Sequence, residues 1–129
     1  MASDQKQSEV SELAAPQQLA APMIIVHCQS EVEALRREET GTSGRIAKTI
    51  VKYPNFSVVL MVMKSKASFP EHKSGGRISI QVLSGHIQMR VLENLIDLPA
   101  GTLVALDRNV PHDVEALDES SFILPICTE

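Results

Sequence analysis

From Arg77 to Val91 the chain reads RISIQVLSGHIQMRV, two runs of apolar–polar alternation joined by Ser84-Gly85. In the first run Ile78, Ile80 and Val82 share one face and Ser79 and Gln81, with Leu83, take the other. In the second, Ile87, Met89 and Val91 stand against His86, Gln88 and Arg90. A helix would scatter residues two apart to opposite sides, whereas a strand lines them up on one face. The same period is carried, more loosely, by RIAKTIVK (45–52), FSVVLMVMK (56–64), TLVAL (102–106), HDVEAL (112–117) and SFILPI (121–126). Turn residues separate the runs at Pro54-Asn55, at SGG, at SG, at EN, at PAG (99–101), at RNVP and at LDES. About seven to nine short strands with turns at this spacing predict an all-β sandwich or barrel.

Only one helix is predicted, over SEVEALRRE (30–38), with Ser30 and Glu33 spaced as a capping box and Val32 and Leu35 on one face. The glycines of TGTSG (40–44) end it. Residues 1–22 are rich in Ala, Gln, Ser and Pro and are expected to form a flexible tail. MIIV (23–26) would then pair with a sheet edge or a partner subunit. The organisation is therefore a tail (1–22), an edge segment with a short helix (23–45), and a barrel (46–129).

Composition narrows the function classes. With no Trp, one Tyr and three Phe, the core is built from Val, Ile, Leu, Met and Ala, and base-stacking platforms are scarce. The formal charge of −4, from 12 basic and 16 acidic residues, does not suit a phosphate-backbone binder, so no nucleic-acid partner is expected. Cys28 and Cys127 form no CxxC pair, which disfavours a thiolate zinc site. No basic start precedes an apolar signal-like run, and no stretch approaches about 20 apolar residues, so the expectation is a cytoplasmic protein without a membrane partner. A nucleophile elbow, a P-loop and GxGxxG are all missing.

Two segments in this strand pattern resemble the motifs of the cupin superfamily of small β-barrels, in particular the small single-domain bacterial cupins. Gly101, five residues, Asp107-Arg108-Asn109, two residues and His112 follow the second motif. Asp107 replaces its proline, Asn109 its turn glycine and Ala116 its final Asn. Asn tolerates a left-handed backbone best after glycine, so that exchange is mild. In the first motif Gly85 matches the closing glycine and His72 the second histidine, while Pro70 stands at the first histidine and Ile78 at the acidic ligand. The resemblance covers residues 46 to 127. It implies a double-stranded β-helix, or jelly-roll barrel, often paired as a homodimer, with His72 and His112 as metal ligands facing each other across the barrel.

Half of the family's ligands are thus missing. Neutral imidazoles suit a divalent transition metal such as Zn, Fe, Ni or Mn, but a catalytic zinc site wants three protein ligands and a non-haem iron site two histidines with a carboxylate. Two readings follow. In one, the chain is a cupin of unassigned activity that binds a small molecule in the barrel, with or without a weakly held divalent metal. Ile78, Ile80, Val82, Val110 and Val114 would line its cavity. In the other, it is a metal-dependent enzyme of oxygenase, isomerase or lyase type using His72 and His112. Whether it is an enzyme stays open, as do the substrate, the pathway and any third ligand. Glu71 is expected to point away from His72, Asp107 to sit at the rim, His86 to face solvent or an interface, and His27 to serve local packing. Gln81 would face outward, Met61 and Met63 fill the core, and Cys127 lie buried in an apolar strand.

Overall fold

A computed structural model describes residues 21–128 of the 129. One helix, α1 (Cys28–Arg36), precedes nine strands: β1 (Arg45–Tyr53), β2 (Phe56–Met63), β3 (Ser68–His72), β4 (Arg77–Ser84), β5 (His86–Val91), β6 (Asn94–Pro99), β7 (Leu103–Leu106), β8 (His112–Ala116) and β9 (Ser120–Cys127). They form two antiparallel sheets, β1-β2-β9-β4-β7 and β3-β8-β5-β6. After the β1–β2 hairpin the chain changes sheet at nearly every connection, and only β5–β6 forms a second hairpin. This alternation is the jelly-roll arrangement, and the expected all-β barrel is the observed one.

The sequence periods explain the layers. Ile80, Val82, Ile87, Met89, Val91, Val114 and Ala116 all point between the sheets, joined by Met61, Met63, Leu98 and Phe122 in one buried cluster. The outer face of β1 and β2 is covered instead by α1. Val32 and Leu35, one turn apart on the helix, pack on Ile50, Leu60 and Val62. This is why β2 reads as a continuous apolar run, since both of its faces are covered. Lys48 Nζ donates to Glu31 Oε1 at 2.7 Å, and Arg36 Nη2 donates to Ser84 Oγ at 3.1 Å, fixing the helix at both ends.

The passage from β4 to β5 requires a glycine. Gly85 has φ of +82°, and a Cβ there would run into the Glu119 carbonyl and Ser120. At the β7–β8 turn Asn109 has φ of +63°, so the residue standing at the turn glycine's place does adopt the left-handed backbone.

Several expectations are corrected. The helix starts at Cys28 with His27 as its N-cap and no side-chain cap, so Ser30 lies inside the first turn and the Ser30–Glu33 box is not used. Met23–Val26 is not a strand. Met23 and Ile25 are exposed, while Val26 packs beside the helix cluster. Cys127 is exposed where β9 runs out, and β3 and β6 are strands the alternation does not announce. The expected tail falls almost wholly on residues 1–20, outside the described residues. No helix among the described residues is long and apolar enough to cross a membrane.

Candidate functional site

β3 and β8 pair antiparallel, with Phe69 opposite Val114 and His72 opposite His112. Three steps along β3 match two along β8, so β3 carries a bulge between Phe69 and His72. In a regular strand residues three apart face opposite ways. The extra residue restores the phase, so Phe69 and His72 lie on the same face of β3. Phe69 packs against the interior cluster, its ring centre is 5.2 Å from that of His72, and the His72 and His112 ring centres are 4.3 Å apart, edge to face. The two imidazoles therefore do meet. They meet as cross-strand neighbours in one sheet, not across the barrel, because β3 and β8 are adjacent in the four-stranded sheet.

His112 is 3% exposed whereas His72 is open to solvent, so the pair sits at the mouth with one ring in the wall and one outside it. Their backbone contacts match. His72 Nδ1 lies 2.9 Å from the Pro70 carbonyl and His112 Nδ1 lies 2.9 Å from the Val110 carbonyl. A carbonyl oxygen only accepts, so each Nδ1 carries the hydrogen and donates it. In the neutral ring the Nε2 lone pair is then free, and among the described residues Nε2 of neither histidine has a hydrogen-bond partner. Commitment of Nδ1–H to a carbonyl is the usual way a ligating histidine is held in orientation.

The donor set fits a metal only in part. At metal–nitrogen distances of about 2.0–2.1 Å, two ligating nitrogens lie roughly 3–3.5 Å apart, and rings about 4–5 Å between centres can reach one ion. Among the described residues, however, no group of three or more His, Cys, Asp or Glu side chains stands close enough to hold a metal. Pro70 and Ile78 occupy the two remaining ligand positions, the former exposed on β3 and the latter buried. Asp107 does not substitute. It accepts from the Arg108 amide at 2.8 Å and from Arg77 Nε at 2.9 Å, and these donors, the amide foremost, hold its carboxyl below the ordinary range. Glu71 is exposed and lines an outer groove of about 260 Å³ with Arg90 and Asp113, away from the pair.

Ile80, Val82 and Val114, expected to line a cavity, are buried in one cluster with Met61, Met63, Met89 and Phe122. Val110 packs at the margin of the cluster. Gln81 faces out as expected, and Met61 and Met63 are core.

His86 lies on the outer face, its Nε2 3.3 Å from Asp97 Oδ1, which also accepts from Gln88 Nε2 at 2.9 Å. His27, at the helix N-cap, is exposed. Gln88 first and His86 second keep the Asp97 carboxyl below the ordinary value of 3.8. A carboxylate lowered in this way adds stability above its unfolded pKa, and that contribution is lost as pH falls through the lower folded value. Gln88→Leu should therefore move the Asp97 titration up toward 3.8, read from the carboxyl carbon shift by NMR. An unmoved titration would show that the Gln88 contact is not formed in solution.

Sequence reasoning missed Phe69 and Arg45. The Arg45 guanidinium carbon lies 4.2 Å from the Phe69 ring centre and Nη1 donates to the Ser68 carbonyl at 2.7 Å, so Arg45, Phe69, His72 and His112 form a continuous stack along the mouth. Reading SFPEH as a strand would have placed Phe69 there.

Comparison with solved structures places this geometry. A cupin superfamily protein from Desulfitobacterium hafniense superposes with a TM-score of 0.69 at 11% identity, covering 87% of this chain and 96% of that one. The chain folds as a cupin. An RmlC-like cupin from Desulfovibrio desulfuricans gives 0.64 at 21% identity over 73% of this chain and 92% of that one. A Streptococcus pyogenes protein of unknown function gives 0.68 at 14% identity over 86% and 92% respectively. At these identities the likeness is one of fold. No protein-family model matches this sequence, and no curated protein matches it.

Proposed function

We propose that this cupin binds a small molecule at the barrel mouth, through a divalent transition metal held weakly by Nε2 of His72 and His112. The observation that carries the reading is the matched commitment of the two Nδ1 hydrogens to the Pro70 and Val110 carbonyls, which leaves the Nε2 lone pairs of two rings 4.3 Å apart between centres without a protein partner among the described residues. With two protein ligands, the remaining coordination positions are open to water or to a chelating ligand, and affinity for the bare ion is low. The ligand sits at the rim, where the exposed His72 meets solvent.

Untagged protein dialysed against Zn(II), Ni(II), Mn(II) or Fe(II) should retain a substoichiometric but measurable amount of at least one ion by elemental analysis. Less than about 0.1 metal per chain with every ion would defeat the metal-mediated reading.

A further inference from the structure

At the other end of β3 from His72, the loop of residues 40–44 and the loop of residues 64–68 lie side by side and enclose an open groove of about 460 Å³. We propose that this groove binds a phosphate monoester group, held by the Lys64 and Lys66 ammonium groups and the hydroxyls of Thr40 and Thr42. The site is separate from the histidine pair and does not depend on it.

The two loops are tied together by backbone hydrogen bonds and close packing. The Lys64 amide donates to the Gly44 carbonyl at 2.8 Å, extending the β1–β2 ladder by one rung. Gly44, at φ of +74°, comes so close to Ala67 that a Cβ would sit 3.0 Å from the Ala67 Cβ. Ser43 Oγ is consumed internally, bonded to the Thr40 and Arg45 carbonyls and the Arg45 amide. Lys66 takes a left-handed backbone, φ +73°, fixed by its amide to the Ala116 carbonyl at 2.8 Å and by the Ala67 amide to the Lys64 carbonyl at 3.0 Å. That backbone is uncommon for a lysine, and the surrounding bonds over-determine it, so its Cα–Cβ bond leaves the turn in a fixed direction.

The groove's lining sets the ligand class. Lys64 and Lys66 line it with Thr40 and Thr42, no carboxylate does, and neither lysine has a carboxylate within 4.0 Å among the described residues. On a chain of net charge −4, two cations beside two threonine hydroxyls form a local site for an anion. The Thr40 and Thr42 hydroxyls make no hydrogen bond among the described residues. A phosphate monoester carries nearly two charges above neutral pH and three acceptor oxygens, which matches two ammonium groups with flanking hydroxyl donors better than a singly charged carboxylate does.

The test is an amide-resolved NMR titration with glycerol 3-phosphate at constant ionic strength, with EDTA present so that no metal at the histidine pair contributes. Saturable shifts confined to residues 40–44 and 64–68 are expected, weakening as salt is raised. The K64Q/K66N double variant, in which Asn preserves the left-handed turn, should lose at least about tenfold in affinity while its thermal unfolding stays close to that of the parent. No saturable shift, equal shifts with acetate, or unchanged affinity in a folded double variant would each overturn the proposal. Retention on phosphatidic-acid vesicles without binding of the soluble ester would do the same, since the groove would then be reading a lipid surface.

Discussion

Alanine in place of His112 should abolish retention of divalent metal while leaving a folded barrel. His112 is the buried member of the pair, and its ring is held on one side by the Val110 carbonyl and on the other by His72, 4.3 Å between ring centres. Removing it leaves His72 as a single exposed imidazole, which binds an ion no better than any surface histidine. The expected loss is therefore at least about a hundredfold in apparent affinity, the upper range seen for losing even an orienting partner of a ligand. The fold cost is smaller, about 1–3 kcal/mol, because one carbonyl loses its donor near the mouth and a small void opens. Isothermal titration with Ni(II) alongside circular dichroism separates the two effects. His72→Ala gives the companion case, an exposed side chain whose loss should remove the metal at almost no cost in stability. Equal metal binding by parent and His112→Ala would mean that the ion sits elsewhere on the chain.

Phe122→Ala is the substitution expected to cost most in stability. Phe122 lies on β9, the central strand of the five-stranded sheet, opposite Met61 on β2 and Val82 on β4, and is 2% exposed. Loss of a buried phenyl from a packed interior costs about 3–5 kcal/mol, through lost burial and the cavity left behind. Against a typical total of about 5–15 kcal/mol this is a large fraction, and it corresponds to a fall in Tm of roughly 10–20 °C for a chain this long. The measurement also discriminates between a filled and a hollow barrel. In a hollow one the phenyl would border empty or wet space, and its truncation would cost little. A change in Tm of only a degree or two would thus favour an interior cavity beside Phe122.

The sheets were largely legible before the structure, but not every strand was. β4 and β5 alternate because one face is buried and the other meets water, and their boundaries were read to within a residue. β3 was missed because SFPEH holds a proline and places only Phe69 and His72 inward across a bulge, so no period of two survives in five residues. β6 was missed because Leu95 is exposed while Leu98 is buried, which puts leucines on both faces and erases the polar side. The same bulge explains the histidines. Motif spacing singled out both His72 and His112, but their contact within one sheet depends on strand pairing, which spacing along the chain does not contain. The lysine groove was invisible for a related reason, since its two loops are brought together only by the β1–β2 ladder.

The position of β9 has a consequence for biosynthesis. It is the last of the described strands to leave the ribosome, yet it fills the slot between β2 and β4 and supplies Phe122 to the interior. A nascent chain that has not yet extruded Ser120–Cys127 must hold two facing strand margins unpaired, separated by the width of one missing ribbon. Closure is then close to all-or-none once those residues have emerged, and the interval before it is when this polypeptide is most open to sticking to its neighbours.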